Sequence, residues 1–305
     1  MFLYNAVTDT RQHGYLPQLM SQAQIDNFKK ALTQTGHQIV NLNLHRPEQL
    51  KDLSRSEELI DIAFCIAEGF LDFPLTIAEG SGAARVRRVL ADLGIQATHS
   101  SAATMEICWH KDRTHQALGL ANIPTPGYFL LEPGLEPVPD QLNLALDQLS
   151  FPLFVKPAAG GTSVGISEHS LVSSPPELAA QVQALGWEFK NLPILIEEYL
   201  PGREYTVGVI GNSEKAILPI IAFPAEQKIR TPKVKKERNK YSQEKIVAGD
   251  SRYKILSELA ANVFDALGAQ DVLRIDFRED AAGMPHVIDV NGNPALAPTA
   301  SLAQM

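Results

Sequence analysis

The chain has 305 residues, 45% hydrophobic and 20% charged, enough for a large core divided into two or three compact units. Its net charge of −8 (27 Lys and Arg against 35 Asp and Glu) argues against a nucleic-acid partner, because gripping phosphates along a duplex needs concentrated basic surface. Cys65 and Cys108 match no metal-ligand spacing or disulfide framework, and neither an export signal nor an apolar run of ~20 residues for a membrane span is present, so a cytoplasmic location is expected.

From Met1 to about residue 100, strand-like pieces (MFLYNAV, HQIVNLNL, LIDIAFCIAEG) alternate with helical ones (Gln22 to Gln34, ARVRRVLADLG). That alternation predicts an open parallel sheet covered by helices. Next come a helix expected over Met105 to Leu118, a Pro-containing turn, the strand-like GYFLLE and FPLFVKP, and a glycine-rich loop. Strands then dominate: PILIEEYL, EYTVGVIG, AILPIIAF, VLRIDFRED and PHVIDVNGN, with a helix over Tyr253 to Leu267. The basic polar stretch from Lys228 to Asp250 has the composition of a lid over a site. These shifts divide the chain into units 1–100, 101–190 and 191–305.

Lys156 ends the apolar FPLFVKP and is followed by AAGGTSVGIS. There Gly160, Gly161 and Gly165 let backbone N–H groups approach an anion, and Thr162 and Ser163 add hydroxyl donors. The lysine precedes the glycines, so the order is not that of a P-loop. A plain hairpin turn is the competing reading. Further on, ILIEEYLPGREYTV ends one buried strand in Glu197 and Glu198 and starts the next with Glu204. A strand edge there can offer backbone groups to an adenine ring and a carboxylate to ribose hydroxyls, while acids around a Pro-Gly turn also suit a solvated corner.

The last two strands carry the strongest signal. Arg274 and Asp276 share one face of VLRIDFRED, and Asp289 and Asn291 share one face of HVIDVNGN. Paired as a hairpin, the strands would project Asp276, Asp289 and Asn291 together. Three hard oxygen donors suit Mg2+, which takes few protein ligands and completes its shell with water and phosphates. Ca2+ is disfavoured, since no short acidic loop is present. Two amphipathic strands with a polar outer face are the alternative, and the apolar flanks Val272, Leu273, Val287 and Ile288 speak against it.

FPLFVKPAAGGTSVGIS, ILIEEYLPGREYTV, LRIDF and IDVNGNP, in this order and with Lys111 in WHKDRTHQALGLANIPTP, resemble the signature of the ATP-grasp superfamily. Within it they resemble the D-alanine-D-alanine ligase-like branch, over about residues 79 to 302. The resemblance implies an α/β ATP-grasp fold: an N-terminal Rossmann-like open sheet, a small central domain and a C-terminal antiparallel sheet, α+β within the grasp domains. It implies an ADP-forming, ATP-dependent ligase that joins an amine to a carboxylate or a similar phosphate-activated oxygen centre. By the same resemblance Lys111 and Lys156 hold the α- and β-phosphates and the loop Gly160 to Gly165 covers the β- and γ-phosphates. Glu197, Glu198, Tyr199 and Leu200 line the adenine site, and Glu204 takes the ribose hydroxyls. Asp276, Asp289 and Asn291 bind two Mg2+ ions, or Mn2+ in their place, although the branch usually has Glu where Asp289 stands. Lys240 approaches the γ-phosphate, Tyr241 orders the substrate side, and Arg274 stabilises the tetrahedral oxyanion. The implied partners are small-molecule amino acid and acceptor substrates and a second copy of the chain in a homodimer.

Departures from the branch concentrate on the acceptor side. D-alanine-D-alanine ligases open with a Gly-Gly-Ser-rich stretch whose glutamate holds the first amino group, and later carry a His-Gly pair. Here LYNAVTDTRQHG, with Asp9 its nearest acid, and Glu68-Gly69 stand in those places, followed by Glu79 and the basic run Arg85 to Arg88. Ala295 replaces the oxyanion-hole glycine, and the helix that usually follows the last strand is missing. The reading is retained nucleotide chemistry with diverged acceptor chemistry, as in amino-acid ligases of secondary metabolism such as those acting on a mycosporine core. Two alternatives stand beside it. D-alanine-D-alanine synthesis for the cell wall is opposed by the altered first-substrate pocket. A non-catalytic nucleotide-binding regulatory module is opposed by intact Lys111, Lys156, Asp276 and Asn291.

Overall fold

A computed structural model describes residues 1–7, 19–54, 60–133, 138–161, 163–189, 192–226, 228–231, 243–298 and 300–305. The expectations for Asp9, Thr162, Lys240 and Tyr241 fall outside the described residues.

The N-terminal strands Asn41–Asn43, Phe2–Tyr4 and Phe64–Cys65 form a parallel sheet in that order. Helix Gln22–Gln34 begins at a capping box: the Ser21 hydroxyl accepts from the Gln24 N–H, and the Gln24 side chain accepts from the Ser21 N–H. Side chains alternate across the central strand, so Phe2 and Tyr4 pack with Ile25 of this helix, while Leu3 packs with Val86 and Leu90 of helix Ser81–Asp92. Both faces are therefore covered, as a parallel sheet requires.

A second, antiparallel sheet runs Tyr128–Leu131, Ile194–Glu198, Leu153–Pro157, Leu171–Val172. Ala145 of helix Val138–Gln148 and Leu178, Val182 and Leu185 of helix Pro175–Glu188 close its core. Ile194–Glu198 belongs to this sheet, so the change of sheet falls between Glu198 and Glu204, beyond the composition shift near 190.

The helix expected over Met105 to Leu118 is two helices, Ala102–Trp109 and Lys111–Leu120. His110 breaks them by adopting extended backbone and bridging antiparallel to Ala159. Cys108 and Leu118 from this pair join the core of the third sheet. The break makes Lys111 the first residue of a helix, directly beside the glycine-rich loop.

The third sheet is antiparallel, in the order Glu244–Ile246, Ile220–Ala222, Glu204–Gly211, Asp271–Glu279, Pro285–Asn291, with Lys215–Ile217 also paired to Glu204–Gly211. Tyr205, Val207, Leu273, Ile275 and Phe277 pack against Leu256, Ala260, Val263 and Phe264 of helix Ser251–Ala266. Residues of the opposite parity, Glu204, Thr206, Arg274, Asp276 and Arg278, therefore share the other face. Glu244–Ile246 is an edge strand inside the stretch expected to form a lid. The chain does carry a helix after its last strand, the single turn Ser301–Gln304. It seats on Gly208, where a Cβ would lie 2.6 Å from Leu302 Cδ1. Among the described residues no helix is long and apolar enough to cross a membrane.

Candidate active site

The two grasp sheets meet at a cleft enclosing about 850 Å³, part of it open to solvent. A β-bulge shapes one wall. Asp276 pairs with Asp289 and Phe277 with Val287, which leaves Ile288 as the extra residue and re-aims this stretch of strand. The Ile288 carbonyl accepts a 3.2 Å hydrogen bond from Lys156 Nζ. A second Lys156 N–H meets Glu197 Oε2 at 2.7 Å, and Glu197 Oε1 lies 2.7 Å from His115 Nε2. All three side chains are at most 5% exposed. Burial on its own would push the Glu197 carboxyl up, but the Lys156 ammonium and the His115 hydrogen bond outweigh it and hold it at about 2.

Lys111 is fixed at both ends. Its backbone N–H donates to Ala158 O at 2.8 Å, its Nζ to Gly160 O at 2.6 Å, and Nζ stands 3.6 Å from Asp289 Oδ1. Burial lowers the Lys111 pKa, with nearby Lys156 adding to the effect and Asp289 opposing it. In the loop that follows, Gly160, Ser163 and Gly165 have positive φ. Gly165 cannot be replaced without movement, since a Cβ would meet Pro157 Cγ at 2.5 Å.

Asp276 is clamped. Arg274 Nε and Nη2 donate to Oδ1 and Oδ2 at 3.2 and 3.1 Å, and Thr206 Oγ1 donates to Oδ1 at 2.6 Å. Across the ladder, Asn291 Nδ2 donates to Asp289 Oδ2 at 3.3 Å. Two carboxylates and an amide oxygen on paired strands make a hard-oxygen set that fits Mg2+. Among the described residues no group of three or more His, Cys, Asp or Glu is arranged for a metal, so an ion held here would need the amide and non-protein oxygens to complete its shell.

The far end of the cleft holds a second charge cluster. Glu204 meets Arg230 at 2.7 Å and Arg278 at 3.4 Å, and Arg278 also donates to Leu200 O and the Tyr199 hydroxyl at 2.6 and 3.0 Å. The Arg230 guanidinium stacks 3.4 Å above the Phe223 ring centre.

Of the residues singled out in the sequence, Lys111, Lys156, Gly160, Gly161, Ser163, Glu197, Glu198, Tyr199, Leu200, Glu204, Asp276 and Asp289 all line the cleft. Arg274 and Asn291 do not line it but touch Asp276 and Asp289. Glu197 is turned inward under Lys156, and both Glu204 oxygens are held by guanidinium groups, so neither carboxylate stands open in this state. Sequence reasoning passed over His115 and Arg278. Helical spacing puts His115 one turn after Lys111, and strand parity puts Arg278 on the face of Asp276.

Glu68 lies across the seam from this wall. Asn5 Oδ1 accepts from the Glu68 and Gly69 N–H groups at 2.7 and 3.2 Å, which fixes the turn at the end of the parallel strand. Asn293, two residues past Asn291, donates to Glu68 Oε1 at 2.6 Å. Burial raises the Glu68 carboxyl to about 7, against the opposing pull of Arg87 and the Asn293 hydrogen bond. A folded-state value above the ordinary 4.5 means that this group contributes stability at low pH and loses it as pH rises through about 7. Glu68→Gln, uncharged throughout, should therefore melt increasingly above the unmodified protein as pH rises from about 5 to about 8. Scanning calorimetry across that range checks it, and parallel melting curves would contradict it.

The family model described as D-ala D-ala ligase C-terminus matches residues 118–305. The D-alanine-D-alanine ligase of Pseudomonas putida (strain GB-1) is 30% identical over 278 residues, covering 87% of this chain and 76% of that protein. The uncharacterized protein y4sG of Sinorhizobium fredii is 29% identical over 184 residues, 58% of this chain, and the matched part spans only 51% of its length. The crystal structure of D-alanine-D-alanine ligase from Bacillus anthracis has a TM-score of 0.73 at 22% identity over 99% of this chain and 89% of that one, which establishes the fold. With the family model covering well over half its length and the two-sheet cleft in place, the chain belongs to the D-alanine-D-alanine ligase family and has its ATP-grasp fold.

Proposed function

We propose that the protein is an ADP-forming ligase that phosphorylates a carboxylate with ATP and joins it to an amine. The observation that carries this reading is the juxtaposition of Lys111 and Lys156 with the cross-strand pair Asp276 and Asp289 in one cleft. Phosphoryl transfer asks little covalent chemistry of a protein and depends on positioning and charge. Mg2+ held by Asp276, Asp289 and Asn291 would neutralise the phosphate charge that builds during transfer.

The chain's own cations are held as pairs, Lys111 with Asp289, Lys156 with Glu197 and Arg274 with Asp276, so their donors are oriented before a nucleotide arrives. The carboxylate oxygen attacks the γ-phosphorus, the bond to the β-γ bridging oxygen breaks and ADP leaves. The amine nitrogen then attacks the acyl carbon, the bond to phosphate breaks, and the amine gives up a proton as the amide forms. Arg274, hydrogen-bonded to Asp276 and paired across the ladder with Asn291, would stabilise the oxyanion of that second step.

Glu68 bears on the substrates. It reaches Asn293, just past the strand bearing Asp289 and Asn291, and a carboxylate there suits an amine-bearing substrate approaching from the N-terminal side. By the resemblance, Glu68 stands where D-alanine-D-alanine ligases carry a histidine, an exchange that favours a first substrate other than D-alanine. A screen of amines against carboxylic acids, reading ADP release with ATP and Mg2+, tests the proposal. ADP release should require both partners and be slow with D-alanine alone. No partner-dependent ADP release from any pair would overturn the ligase reading. A kcat/KM for D-alanine of ~10^4 M−1 s−1, with D-alanyl-D-alanine as product, would overturn the diverged-substrate part.

A further inference from the structure

We propose that His115 is a positioning residue for the nucleotide: by holding Glu197 it fixes the Lys156 ammonium and aims the remaining N–H of that group at the bound phosphate. This rests on the nucleotide reading of the cleft.

A lysine ammonium has three donors on a flexible four-carbon stem, so its direction is set by whatever accepts from it. Lys156 gives one N–H to Glu197 Oε2 and one to Ile288 O, which leaves one for the cleft that it lines. Glu197 could shift to offer Lys156 either oxygen or both. His115 prevents this by occupying Oε1 at 2.7 Å. An ionised carboxylate only accepts, so His115 Nε2 is the donor. His115 Nδ1 has no partner among the described residues, so the bond from Nε2 to Glu197 is the ring's one hydrogen bond there.

The ring itself has little freedom. It is 2% exposed and lies 5.2 Å from the Tyr128 ring centre, on the strand that pairs with Ile194–Glu198. His115 stands one turn after Lys111 on the same helix. One helix therefore carries the first lysine of the cleft and, through Glu197, sets the second.

The test is the affinity of the protein for a non-hydrolysable ATP analogue with Mg2+, measured by calorimetry. His115→Leu should weaken it about tenfold, because the stranded Glu197 oxygen is left to compete for Lys156. His115→Asn, whose amide stops short of the Nε2 position, should weaken it similarly, and His115→Gln, which can place an N–H there, should restore most of it. If His115 acts through Glu197, His115→Leu should have little further effect in a Glu197→Gln background. A purely packing role would give neither the rescue nor this non-additivity. Equal affinity of His115→Leu, His115→Asn and the unmodified protein would overturn the inference, as would an undiminished tenfold loss in the Glu197→Gln background. An unmodified protein that binds no nucleotide would overturn the reading of the cleft and this inference with it.

Discussion

Replacing Asp276 and Asn291 together with alanine should lower ATP-dependent turnover by ~10^3-fold or more while the chain stays folded. Asp276 Oδ1 and Oδ2 take three hydrogen bonds from Arg274 and Thr206, and Asn291 holds Asp289, so the double change strips two of the three oxygen donors from the wall. The core beneath is untouched, because Leu273, Ile275, Phe277 and Val290 point the other way. Arg274 loses its partner but is not sealed from water, at 19% side-chain exposure, which limits the stability cost. Turnover at saturating ATP with Mg2+, alongside circular dichroism, checks both halves. Wild-type turnover of the double variant, or its indifference to a chelator, would contradict the metal assignment.

The second large effect belongs to Lys156. Lys156→Met removes the proposed phosphate donor and also leaves Glu197, 3% exposed, without its counter-charge. Stranding a buried charge by deleting one partner costs about 3–5 kcal/mol, so the variant should be destabilised on that scale near neutral pH. The pH dependence follows from the sign of the shift. In the unmodified protein the Glu197 carboxyl is held at about 2, so its contribution is complete above the ordinary carboxylate value and is lost only as pH falls through about 2. Without Lys156, burial dominates and the carboxyl rises, so the variant gains by taking up a proton as pH falls. The difference between the two proteins should therefore be largest near pH 7 and shrink toward about pH 5. Adding Glu197→Gln to Lys156→Met should recover most of the stability and none of the activity. Urea titrations at the two pH values decide this, and an equal deficit at both would show that Glu197 does not depend on Lys156.

How much of this was legible in the sequence depended on the range of the interaction. Helix Gln22–Gln34 follows from amphipathic spacing and the Ser21 cap, and the face shared by Arg274 and Asp276 follows from strand parity, because both signals are local. The break at His110 is not local. It comes from a bridge to Ala159, in the glycine-rich stretch far along the chain, so the helical pattern read straight through it. Likewise Ile194–Glu198 is as apolar as the strands that follow it, and nothing in its composition says that it pairs with Leu153–Pro157 in the earlier sheet. The acids of ILIEEYLPGRE were legible as candidates, yet their states were not. Whether Glu197 and Glu204 face a ligand or are clamped by cations depends on His115, Arg230 and Arg278, which reach them from 82, 26 and 74 residues away along the chain.

The central claim is that the γ-phosphate of ATP activates a carboxylate that an amine then captures. With the substrates found by the screen, a carboxylate labelled with 18O in both oxygens should pass one labelled oxygen to inorganic phosphate and keep the other in the amide, with one ADP formed per amide. Mass spectrometry of the released phosphate reads this directly. Unlabelled phosphate accompanying amide formation, or AMP and pyrophosphate in place of ADP, would contradict the account.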